Sequence, residues 1–117
     1  MAEAFENLAY GMFSIMAELD RYEPTGSKVV YAAGLDDVVL LERFLTQLLV
    51  LFDSEGVLPV DFEITEISLG RLTCWVSVRK IGPDIEWLGP TVKAVTYHQI
   101  AVENVGEEWT ARAIFDV

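Results

Sequence analysis

The sequence contains one cysteine, Cys74, and one histidine, His98. A single thiol forms no internal disulfide, which fits a reducing compartment, and one Cys with one His leaves too few ligands for a zinc cage. No apolar run approaches the ~18 residues of a membrane-spanning helix, so none is expected. The opening MAEAFEN has no basic stretch followed by an apolar block, so it reads as the start of an amphipathic helix and not as a signal peptide. These absences together lead us to expect a cytoplasmic protein. Cations are scarce: 8 Lys and Arg stand against 19 Asp and Glu, a formal charge of −11. Nucleic-acid binding requires cations that displace condensed counterions, so direct contact with RNA or DNA is not expected. The acidity is spread along the chain, which fits either plain solubility or a face that docks on a basic protein. A glycine-rich phosphate loop is also missing, because Gly82, Gly89 and Gly106 are isolated turn glycines.

What is present is a chain of 117 residues, 52% hydrophobic, enough for one domain over 1–117 with one core. In residues 2–20, Phe5, Leu8, Ala9, Met12, Phe13, Met16 and Leu19 recur at three- and four-residue spacing and predict a helix with one apolar face. Pro24, Thr25 and Gly26 turn the chain. Lys28–Ala33 predicts a short strand, broken by Gly34, and Asp36 or Asp37 is placed to cap a second helix. Its residues Val39, Leu41, Phe44, Leu45, Leu48, Leu49 and Phe52 cover more than half the circumference, which predicts burial on two sides. Gly56 stands at the C-terminal cap position.

The remainder is β-rich. Val60, Phe62 and Ile64 alternate with Asp61 and Glu63, and the phase slips near Thr65 and Glu66, the mark of a bulge. Leu69-Gly70-Arg71 predicts a hairpin turn, and Leu72, Cys74, Val76 and Val78 an inward strand face. Residues 81–90, with two Gly-Pro pairs, read as a loop. Val92–Val102 and Trp109–Val117 read as strands joined by a turn at Asn104–Glu107. The resulting fold class is α+β: two helices packed with a mainly antiparallel sheet, with the second helix between layers in a β/α/β arrangement.

Few residues could carry chemistry. His98 has no Ser or Cys partner nearby in sequence and reads as structural. Cys74 alternates with Leu72 and Val76 and reads as a small buried hydrophobe. Asp53 and Glu55 flank Ser54 at the end of the second helix, and Asp116 is the penultimate residue. Such carboxylates suit Ca²⁺ or Mg²⁺, or are simply solvated.

Four longer stretches are more specific. AEAFENLAYGMFSIM at Ala2–Met16 resembles the first helix of the archease family, where EAFENAA is typical. LLVLFDSEG at Leu48–Gly56 resembles the family's LLYLFDTEG, VKAVTYH at Val92–His98 its most characteristic strand, and IFDV at Ile114–Val117 its LDI or LDV ending. Order and approximate spacing agree from residue 2 to residue 117.

The resemblance implies an accessory protein, not an enzyme. Archease helps the tRNA-splicing RNA ligase, promoting guanylylation of the ligase's histidine and multiple turnover. It implies a divalent metal, Ca²⁺ or Mg²⁺, held by two aspartates. One of them matches Asp116, with the main-chain carbonyl of Val117 assisting. It also implies a partner-activating lysine, which matches Lys93. Asp53 and Glu55 are candidates for acidic support. The family's second aspartate lies in an HTADIG-like strand before the first helix, whereas the sequence given starts at that helix. We therefore expect weak metal binding and an open edge on the C-terminal strand that invites self-association. Two further readings stand beside this one. One is a chaperone-like acidic module that binds proteins generally. The other is a small metal-dependent enzyme using Asp53, Glu55 and Asp116.

Overall fold

In the computed structural model, residues 1–117 are described, apart from the side chains of Tyr97, His98 and Gln99. The reading of His98 as a structural residue thus lies outside the described residues. The apolar stripe of the first segment forms α1, Ala2–Ser14, with Phe5, Ala9, Met12 and Phe13 buried. The helix ends six residues before the predicted position 20. Met16 and Ala17 both donate to the Phe13 carbonyl, at 3.0 and 3.2 Å, and the chain tightens into a 3₁₀ turn at Leu19–Arg21. A 3₁₀ turn has a period of three, so Met16 and Leu19 still reach the core although the α-helix has stopped.

Strand β1, Gly26–Ala33, leads to α2, Asp37–Glu55. Asp36 is the cap: its carboxylate accepts the Val39 N–H at 2.9 Å, satisfying a donor the helix cannot use itself. At the other end Gly56 takes φ 61°, the left-handed conformation a C-cap requires. Strand β2, Val57–Ser68, and β3, Arg71–Lys80, form a hairpin closed by Leu69 and Gly70 at φ 51° and 73°. The expected bulge is present as a register shift between Ile64 and Glu66, and a second shift lies between Pro59 and Asp61. Beside the shift at Ile64, Glu6 on α1 accepts the Ile64 N–H at 2.7 Å, so that donor is satisfied from outside the sheet.

After a loop, β4 (Ala94–Val105) and β5 (Glu108–Asp116) complete the chain. The strands divide into a three-stranded sheet in the order β1-β3-β2 and a two-stranded sheet β4-β5, all pairs antiparallel. Helix α2 packs on β1 and on β4, and α1 on β2 and on β5, so the helices lie between the sheets. That is the α+β, β/α/β layering the apolar breadth of α2 predicts. The interlayer core is aromatic: Phe13 meets Phe62 and Phe52 with centroids 6.0 and 5.9 Å apart, and Phe5 meets Phe44 at 6.4 Å. Among the described residues no helix is long and apolar enough to cross a membrane.

Candidate functional site around Lys93 and Asp116

The loop between β3 and β4 carries the chain from one sheet to the other, and it is pinned along its length. Arg79 holds Asp84 at 2.6 Å, Arg21 holds Glu86 at 2.6 Å, and the Glu86 N–H donates to the Tyr22 hydroxyl at 2.8 Å. Trp87 sets its edge against Phe52, and the Leu88 N–H donates to the Met16 carbonyl at 2.8 Å. Val92, buried, anchors the end of the loop. The next residue, Lys93, therefore emerges at a fixed place. Its N–H donates to the Asp116 carbonyl at 2.6 Å, and Ala94 stands opposite Asp116 in the ladder. Strand β4 begins at Ala94, two residues later than Val92, because the segment after Gly89-Pro90 is held by this single bond and by Val92 before the ladder starts.

Lys93, Asp116 and Val117 are exposed. The two side chains share no ion pair among the described residues, and the main chain brings them together. Thr96 adds a long hydrogen bond, 3.4 Å, from its hydroxyl to the Asp116 carboxylate. Residue patterns alone did not single out Thr96. The signal was its place two residues beyond Ala94, on the face that Asp116 shares across the strands.

Asp53 and Glu55 sit at the C-terminal end of α2, and Glu55 is engaged by Lys28 of β1 at 2.9 Å. No contact among the described residues joins either to Asp116. Ca²⁺ takes roughly six to eight oxygens and Mg²⁺ about six. The described residues contain no group of three His, Cys, Asp or Glu able to hold a metal. Asp116, Thr96 and the Val117 carbonyl are oxygen donors of the correct hardness, but they do not by themselves make a cage.

Cys74 is fully buried, and burial pushes its thiol from 9.0 up to about 12. A thiol so far from ionising is no nucleophile at neutral pH.

Strand β5 pairs only with β4, so its other edge meets no strand among the described residues. Shallow clefts run along this edge beside α1. One of them, about 430 Å³, is lined by Leu8, Ala111, Arg112, Ala113 and Ile114.

Comparison with known proteins places the chain by family and fold. The family model of the Archease protein family (MTH1598/TM1083) matches residues 1–117. Protein archease of Sulfurisphaera tokodaii is 34% identical over 119 residues, covering 98% of this chain and 84% of the relative. That of Pyrococcus abyssi is 31% identical over 122 residues, covering 100% and 85%. The solution structure of Methanobacterium thermoautotrophicum protein 1598 superposes with a TM-score of 0.85 at 29% identity, over 99% of this chain and 84% of that one. A Thermotoga maritima crystal structure, described as an archease and possible chaperone, shares the fold at a TM-score of 0.59 and 21% identity, over 97% and 83%.

Proposed function

The chain belongs to the archease family, and from that premise we propose that it is a non-catalytic accessory protein of the tRNA-splicing RNA ligase. In this reading it promotes guanylylation of the ligase's histidine and lets the ligase turn over repeatedly. The observation that carries it is the meeting of Lys93 and Asp116 at one exposed end of the β4-β5 sheet. Lys93 offers a compact, mobile ammonium suited to a phosphate oxygen. Asp116 stands beside it as a carboxylate with one hydroxyl neighbour. With no activated nucleophile among the described residues and no phosphate loop in the sequence, such a chain acts on this chemistry by supplying charge to another protein's active site.

A divalent ion belongs to the same reading. Asp116 with the Val117 carbonyl would supply part of its coordination, and the remaining oxygens would come from elsewhere, so this chain alone binds Ca²⁺ or Mg²⁺ weakly. The test of the function is guanylylation of the cognate ligase with nucleotide and metal, with and without this chain.

The free edge of β5 favours a second reading, a chaperone-like module that pairs with extended segments of other chains. Suppressed aggregation of unrelated clients, without ligase activation, would support it.

A further inference from the structure

The sheet β1-β3-β2 has its inner face on the helices, and its outer face carries an unusual mixture. Val29, Tyr31 and Trp75 point outward and are 44%, 69% and 49% exposed. The register sets them in rows: Val29, Trp75 and Glu63 stand side by side across the three strands, with Tyr31, Thr73 and Glu66 in the next row and Asp61 beside Ser77. Aliphatic and aromatic surface therefore lies along β1 and β3, and a line of carboxylates along β2. None of the ion pairs among the described residues engages Asp61, Glu63 or Glu66. Of the cations nearby, Arg79 is held by the Glu23 carbonyl and Asp84, and Lys28 by Glu55, while Arg71 stands at the hairpin end of the sheet.

An indole face flanked by free carboxylates is a receptor for arginine. The guanidinium stacks on the ring while its fork takes the carboxylate. A second copy of this face is a poor occupant, since it brings its own row of carboxylates while its nearby cations Arg79 and Lys28 are already engaged. A protein that handles RNA is a good one, because it must present Lys and Arg to neutralise phosphates.

We propose that the outer face of β1-β3-β2, centred on Trp75, is the docking surface for an arginine-bearing basic surface of the ligase, separate from the activating residues Lys93 and Asp116. This rests on the accessory function above and divides it into two tasks on two sheets: the three-stranded sheet holds the partner, and the two-stranded sheet acts on it.

The test is binding of the cognate ligase to the wild-type chain, to Trp75→Thr, and to the combined variant Asp61→Asn, Glu63→Gln, Glu66→Gln, by surface plasmon resonance at several salt concentrations. Trp75→Thr is expected to weaken binding roughly tenfold or more, as the loss of a central aromatic anchor does. The carboxylate variant is expected to associate more slowly and with a flatter salt dependence. Both variants should still give full ligase guanylylation at saturating concentration, while Lys93→Ala should bind normally and fail to activate. If Trp75→Thr does not fold, the carboxylate variant decides alone. Wild-type binding and salt dependence in these variants would overturn the docking surface and leave the accessory function standing. A wild-type chain that neither binds nor activates the ligase would remove both.

Discussion

The main-chain N–H of Lys93 donates to the main-chain carbonyl of Asp116 at 2.6 Å, so the fold uses the backbone of both residues and leaves their side chains exposed. Backbone and side chain at position 93 should therefore separate experimentally. Lys93→Ala keeps the N–H and is expected to leave thermal stability within about 0.5 kcal/mol of wild type, as surface substitutions usually do. Lys93→Pro deletes the donor and is expected to cost about 1 kcal/mol or more. Thermal unfolding followed by circular dichroism compares the two, and equal losses would contradict the assignment.

A second relationship concerns the bulge in β2. Glu6 reaches from α1 to the Ile64 N–H at 2.7 Å, where the ladder shifts register. Glu6→Ala leaves that half-buried donor without its charged acceptor and is expected to destabilise the fold by about 1–3 kcal/mol. Glu6→Gln retains an acceptor oxygen and should recover much of the loss. Urea denaturation of the three proteins gives the order. A Glu6→Ala variant as stable as wild type would show that solvent replaces the bond.

Cys74 supplies a pH dependence. Its thiol in the folded protein is raised from 9.0 to about 12 by burial. An acid whose folded pKa is raised contributes stability that is complete below the unfolded pKa and is lost as pH rises towards the folded value. Stability should therefore decline between pH 9 and 12, and less so in Cys74→Ala once its cavity cost is subtracted. At pH 8 the native thiol should resist a thiol reagent until the protein unfolds. Rapid modification of the native protein would contradict the burial.

The open edge of β5 and the incomplete donor set at Asp116 should appear together. The 117-residue chain is expected to bind Ca²⁺ or Mg²⁺ with Kd weaker than ~1 mM, the weak end of protein calcium sites. Light scattering should show mass increasing with concentration as β5 edges pair. Tight metal binding by a strictly monomeric chain would contradict both expectations.

Most of the architecture was legible in the residues. The breadth of apolar surface on α2 places it between two layers, and the slip after Ile64 marks the bulge. Asp36 and Gly56 mark the helix ends because cap chemistry is local. The end of α1 was not legible, since Met16 and Leu19 satisfy both a 3.6-residue and a three-residue period, and the choice was made by tertiary bonds such as Leu88 to Met16. Nor did the pattern say which strands share a sheet, because strand alternation does not report partners. At the site, Lys93 entered through likeness to a family, and Asp116 was one carboxylate among several until that likeness singled it out; neither carries a local signature that fixes its chemistry. Their meeting depends on a thirteen-residue connection between β3 and β4 whose anchors come from the segment just after α1, the 3₁₀ turn and α2.

In the proposed function Lys93 acts on another protein's chemistry. That role is tested most directly by counting guanylylated ligase molecules formed over time with catalytic amounts of this chain, wild type against Lys93→Ala. The wild-type chain is expected to raise both the rate of guanylylation and the number of turnovers, and Lys93→Ala, folded and bound, to do neither. Equal activation by the two proteins would contradict that role.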